Sequence, residues 1–183
     1  QVGYAMQFDG VDVYVGMGDV LDFERTSPFS IATWYKAAAA SPTTAQMLVS
    51  KQDATTPFSG YSLAIRGDAA DDPLRFSLTN TITTNQIRVE FARTNDTAWH
   101  HVVVTYDGSS VAAGVTAYVD NASKVLTIAV DNLTATTLTA IAFNIGAQKN
   151  GTGNLFEGSL DDVLVYNRVL TVQEIAQIYN YRL

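Results

Sequence analysis

Residues 99–108 constrain this chain more than any other stretch. They read Trp99-His100-His101-Val102-Val103-Val104-Thr105-Tyr106-Asp107-Gly108. β-Branched and aromatic residues run together and then stop at Asp-Gly. Such residues fit a pleated, half-buried strand. Asp-Gly supplies the positive φ that a tight hairpin turn needs. Thr116-Ala117-Tyr118-Val119-Asp120-Asn121 follows as a second strand and ends in another turn pair.

The same alternation predicts strands over 4–8, 12–17, 29–37, 46–51, 60–66, 74–79, 86–92, 99–106, 115–120, 124–130, 140–147 and 157–166. Turn-rich segments separate them, among them 69–73 and 149–154. Short strands at this spacing predict a two-sheet antiparallel sandwich of jelly-roll type. One helix is expected, Thr171 to Tyr179, with Thr171 and Glu174 spaced as a capping box. Ile175 and Ile178 would face the sandwich, with Tyr179 beside them. No repeat and no linker interrupts the 183 residues, so 1–183 reads as one domain. The small-residue run 37–41 and the Thr/Ala-rich 134–140 are expected as exposed loops.

Composition narrows the function classes. The formal net charge is −7, and the four Lys and seven Arg are scattered, so no basic stripe offers itself to a nucleic-acid backbone. The absence of Cys excludes disulfides and thiolate metal sites. No stretch approaches the ~20 apolar residues that insertion in a membrane requires.

Hydrolytic chemistry finds little to use. Retaining glycoside hydrolysis needs two carboxyls about 5 Å apart. The four Glu (Glu24, Glu90, Glu157 and Glu174) are far apart in sequence. The Asp pairs 71–72 and 161–162 are adjacent and would diverge to opposite strand faces. His100 and His101 diverge in the same way. One is expected to pack internally and the other to lie near the sheet surface. Trp34 and Trp99 are assigned to packing.

A polar patch is the better binding candidate. In 61–66, 74–78 and 87–91, Leu63, Ile65, Leu74, Phe76, Leu78, Ile87, Val89 and Phe91 alternate onto one face, the core. Arg66, Arg75, Ser77, Arg88 and Glu90 fall on the other. If the strands are sequential neighbours, these groups form the floor of a groove for a glycan or an acidic polymer. The competing expectation is a solvated face in which Arg75 or Arg88 pairs with Glu90. Rim loops 52–58, with Asp53, and 149–154, with Asn150, have the composition of binding loops.

Several motifs in order carry a family resemblance. Phe8-Asp9-Gly10 with Tyr14-Val15, Phe29 to Lys36, Leu48 to Lys51, Gly60 to Leu63, the Trp-His-His hairpin, Phe143 to Gly146, Phe156 to Arg168 and Thr171 to Tyr179 resemble the laminin G-like domains. The resemblance implies a concanavalin A-like jelly roll, all-β, with a short C-terminal helix. In it the Trp-His-His trio is a mark of the fold, not of catalysis. It also implies a structural Ca²⁺ between Asp9 and Asp161, with a carbonyl from 51–60. The alternative for both Asp residues is turn capping. Pentraxin-like calcium binding is disfavoured, because Lys149 stands where carboxylates are wanted and only Gln148 and Asn150 remain as ligands.

The expected function is a non-catalytic recognition or adhesion module for a glycan or surface polysaccharide, extracellular or on a virion or cell surface. Two alternatives stay open. One is a structural component of a surface assembly, such as a virion decoration or fibre protein or a pilus-like appendage, in contact with other protein subunits. The other is a remote glycosidase or lyase.

Overall fold

The computed structural model describes residues 5–67 and 70–181. Tyr4, the head of the first predicted strand, and Ala69, in the predicted 69–73 turn, lie outside the described residues. Two antiparallel sheets face one another. The first runs β1 (Met6–Asp9), β13 (Glu157–Tyr166), β3 (Phe29–Ala37), β8 (His100–Tyr106), β9 (Val115–Val119), β10 (Ala122–Ser123). The second runs β11 (Thr127–Asp131), β7 (Asn85–Phe91), β6 (Leu74–Thr81), β5 (Gly60–Arg66), β4 (Ala45–Gln52), β12 (Asn144–Ile145), β2 (Val15–Gly16).

Strand alternation builds the core. The eight apolar residues predicted to face inward from β5, β6 and β7 are all buried. They meet Ile31, Val102, Val104 and Ala117 of the first sheet in one cluster. Phe29 sits at an aromatic junction, stacked on Phe23 at 4.5 Å and tilted against Tyr61 at 5.2 Å. Strands β4 to β7 are consecutive hairpins, so the sequential neighbourhood assumed for the polar patch holds.

The helix α1 (Val172–Asn180) closes the outer side of the first sheet. Thr171 caps it, and Glu174 completes the capping box and accepts from Arg168 at 2.7 Å. Ile175 packs with Ala32, Val103 and Leu170, and Ile178 joins that cluster at its edge. Tyr179 stacks on Trp34 at 5.4 Å, and His101 lies 5.1 Å from the same indole. Both histidines are buried, so neither occupies the sheet surface expected for one of them. Trp99 is the other departure: it precedes β8, is only partly buried and lies outside both clusters.

Two predicted strands shrink. The 12–17 strand is reduced to Val15–Gly16, because Asp9 Oδ1 accepts from the amides of Val11, Asp12 and Val13 at 2.9, 3.1 and 3.2 Å. That bends the backbone round the carboxylate instead of extending it. The 140–147 strand is confined to Asn144–Ile145. The short β10 fell between two predicted strands. In the 134–140 loop Thr137 is buried, donating to Phe23 O at 3.1 Å.

Candidate functional site

On the outer face of the second sheet, cross-strand partners line up in rows. Ser50, Ser62, Ser77 and Arg88 form one row across β4 to β7. Ala64, Arg75 and Glu90 form the next. Gln52, Gly60, Thr79 and Gln86 form the row on the other side. Residues directly opposite one another share a face.

An outward sheet face is ordinarily solvated. This one is recessed: Gln52 is 6% exposed, Ser62 3%, Ser77 4% and Gln86 2%. Small serines at the centre leave space that larger side chains would fill. The loops after β4 and β12 and the β6–β7 turn raise walls around it. The result is a cavity of about 150 Å³. Met47, Phe58 and Ile82 supply apolar lining, and Arg75, Arg88, Gln148 and Asn154 join the floor glutamines.

Hydrogen bonds hold the floor in place. Gln86 Nε2 donates to Thr79 Oγ1 at 2.8 Å, and Gln52 Nε2 donates to the same oxygen at 3.3 Å. Ser62 Oγ donates to Gln52 Oε1 at 3.2 Å. On the wall, Asn154 Nδ2 donates to Gln148 Oε1 at 2.7 Å, and Gln148 Nε2 to Asp53 O at 2.8 Å. Gly60 lets the strands approach: a Cβ there would sit 1.8 Å from Lys51 O.

The charges divide unevenly. Glu90 Oε1 accepts from Arg66 at 2.8 Å and from Arg75 Nε at 3.3 Å. Arg88 does not reach it. The Arg88 guanidinium has no hydrogen-bond or ion-pair partner among the described residues, and its Nε is closed off from solvent. Thus Arg66, Arg75, Arg88 and Glu90 share one face as predicted, but the Arg88–Glu90 pair does not form.

The rim differs from expectation. Asp53 Oδ1 accepts from Lys149 Nζ at 2.8 Å and from Thr55. The Lys149 bond is the main force holding its carboxyl below the usual range. Asp53 therefore braces the wall. Asn150 is exposed and does not line the cavity; Gln148 and Asn154 take that place. Gln52, placed in the 52–58 rim segment by sequence, belongs to the floor, and Asn154, placed in the 149–154 segment, joins Gln148 on the wall. Ser62, Thr79 and Gln86 were missed. Their outward position follows from alternation, but nothing in a Ser, Thr or Gln marks it as recessed.

Asp9 and Asp161 do not converge. Strand β1 sets Asp9 opposite Glu157 and Met6 opposite Leu160. Asp161 is therefore about 13 Å away along the ladder. Asp9 Oδ1 is occupied by the three amides, and the Val11 bond leads in holding its carboxyl down. Asp161 Oδ1 accepts from Asp162 N at 2.9 Å. Asp9 caps a turn, Asp161 sits at an irregularity within β13, and the two do not fit a shared Ca²⁺ with oxygens at about 2.3–2.6 Å. No group of three His, Asp or Glu side chains among the described residues is placed to hold an ion. The oxygens that do gather near 51–60 surround an ammonium. Lys51 Nζ donates to Asp19 Oδ1 at 2.5 Å, Asp22 Oδ1 at 3.1 Å and Ile141 O at 2.7 Å.

Two facing antiparallel sheets, a helix on one and a walled polar recess on the other define a jelly-roll sandwich. Residues 9–176 match a laminin G family model described as the concanavalin A-like lectin/glucanases superfamily, and the chain belongs to that family. No curated protein matches it. The fold is shared with the binding domain of Paraclostridial Mosquitocidal Protein 1, at TM-score 0.68 and 14% identity over 96% of this chain and 43% of that one. It is similar also to the binding domain of botulinum neurotoxin serotype G, at TM-score 0.64 and 14% identity over 91% and 39%. The Ruminococcus gnavus IT-sialidase CBM40 bound to α2,3-sialyllactose matches at TM-score 0.65 and 14% identity, over 98% of this chain and 100% of that one. The chain thus spans less than half the length of the toxin domains. These neighbours are binding domains, and at such identity the likeness is one of fold.

Proposed function

We propose that the chain is a non-catalytic carbohydrate-recognition module that seats a glycan in the recess over β4 to β7. The observation that carries this is the near-complete burial of Gln52, Ser62, Ser77 and Gln86 on a face that points away from the core. A recessed, pre-ordered set of amides and hydroxyls offers paired donors and acceptors to sugar hydroxyls. Met47, Phe58 and Ile82 offer apolar surface to the C–H face of a ring. The described residues lining the cavity include no carboxylate, so among them two-carboxylate hydrolysis finds no acid and no nucleophile. The binding role of the structural neighbours, one of them a carbohydrate-binding module, supports the same reading. A partner of this kind is met on cell or particle surfaces, and the extracellular placement goes with it.

The test is a glycan array followed by titration calorimetry. Ser77→Trp fills the recess from its floor. Loss of glycan binding with an unchanged melting temperature is the expected result. A folded wild-type chain that binds no glycan on a broad array, and scatters light as a large regular assembly, would point instead to a structural subunit.

A further inference from the structure

We infer that the recess selects an acidic sugar and that the Arg88 guanidinium takes its carboxylate. This rests on the recess being a glycan site and names the kind of glycan. Among the described residues of β5 to β7, three arginines and one glutamate share the outer face, and the glutamate serves two of the three: Glu90 Oε1 accepts from both Arg66 and Arg75. Arg88 stands one row away, opposite Ser77. Around it lie serines and neutral amides, and none of the described cavity-lining residues is acidic. A chain of net charge −7 thus presents an uncompensated cation inside a partly dry recess.

A buried donor with no acceptor is costly and is retained in a fold only against a structural or binding gain. No structural gain is visible, because Arg88 braces no strand, loop or carbonyl among the described residues. An incoming anion supplies the gain. A guanidinium presents a planar fork that matches the two oxygens of a carboxylate, and the charge-assisted pair strengthens where water is excluded. The amides of Gln52 and Gln86, fixed through Thr79, lie two residues along the neighbouring row, within a sugar's width for its hydroxyls. A neutral glycan could use the amides and leave the arginine uncompensated. A carboxylated one uses both.

Calorimetry on the full chain tests this with four probes: 3′-sialyllactose, a glucuronate-containing disaccharide, lactose and lactose 3′-sulfate. A carboxylated probe is expected to bind at least tenfold more tightly than lactose. Arg88→Gln should weaken that binding ~10- to 100-fold, the range for losing a charge-assisted pair, and weaken lactose binding by much less. Arg88→Lys, which keeps charge and loses the fork, should fall between. Equal affinity for lactose, or an Arg88→Gln variant that binds acidic probes like wild type, overturns the inference. Preference for the sulfated probe overturns the carboxylate. Arg88→Gln has no partner to lose in the fold, and an unchanged melting temperature verifies that. If Ser77→Trp abolishes binding while Arg88→Gln does nothing, the glycan site stands and the acidic selectivity falls. If no probe and no arrayed glycan binds, both fall.

Discussion

His100 and Asp120 are joined at 2.7 Å between ring Nδ1 and carboxylate Oδ2, and the other ring nitrogen meets Asp96 at 2.9 Å. Asp120 also accepts from the His101 amide at 2.9 Å, so one turn aspartate ties down both histidines. Burial alone would lower the His100 pKa, but the bonds to Asp120 and Asp96 outweigh it and leave it raised. A raised folded pKa gives stability that is complete below the unfolded value of about 6.5 and lost as pH rises through the folded value. His100→Gln should therefore remove a decline in melting temperature on the alkaline side of pH 6.5. An unchanged pH profile would show that His100 is not charged in the fold.

His101 behaves in the opposite sense. Burial between Trp34 and Tyr179 pushes its pKa down to about 4, and no acceptor or donor among the described residues meets its ring nitrogens. Its contribution is present above about pH 6.5 and is lost as pH falls towards 4. His101→Phe keeps the ring stack and cannot charge. Its melting temperature should fall less than that of wild type between pH 7 and 4.5. A parallel fall in both proteins would remove the assignment.

Lys51 holds the segment 17–24 to the second sheet through Asp19 and Asp22. Lys51 is 1% exposed, while both carboxylates reach solvent. Lys51→Met keeps the packing and frees the carboxylates to rehydrate, so the cost should be ~1–3 kcal/mol, short of what a stranded buried charge would cost. For a chain of this size each kcal/mol moves the melting temperature by about 2–4 °C. Proteolysis within 17–24 should accelerate with it. Melting and cleavage like those of wild type would show that Lys51 is no clamp.

Chelator should leave the melting temperature unchanged. A ligand that binds only the native state stabilises it by mass action, and its removal would be seen directly. Asp9→Ala should weaken the fold by releasing three amides, with or without chelator. A chelator-dependent drop that Asp161→Asn abolishes would instead establish a shared ion.

Gly60→Ala tests the floor. Its φ of +119° and the 1.8 Å approach to Lys51 O leave no room for a Cβ. Backbone strain of this kind costs about 1–3 kcal/mol. Glycan binding should suffer as well, because Gln52 and Thr79 flank the same position. A variant with wild-type stability and affinity would contradict the placement.

Much of the molecule is legible from local pattern. Alternation in 61–66, 74–78 and 87–91 separated the core residues from Arg66, Arg75, Arg88 and Glu90 correctly, because successive strand side chains point to opposite faces whatever surrounds them. Thr171 and Glu174 marked the helix start, because a capping box is satisfied within its own turn. Asp9 misled in one respect: the residues after it alternate like a strand, but its carboxylate captures their amides. Trp99 misled in another, since an aromatic in a strand motif is not bound to be covered.

The chain alone was enough for two sheets, their facing residues and the helix on one of them, since these follow from period-two alternation, turn chemistry and a cap, all short-range. It was not enough for the recess. Whether an outward Ser62 or Gln86 is washed by solvent or sunk in a groove depends on the 53–59 loop and the far more distant 146–154 segment rising round the same floor. Nor could it say that Glu90 would go to Arg66 and Arg75 and leave Arg88 without an anion. Charge pairing is settled by a few ångströms of side-chain reach across neighbouring strands, and the order of residues along the chain does not carry that distance.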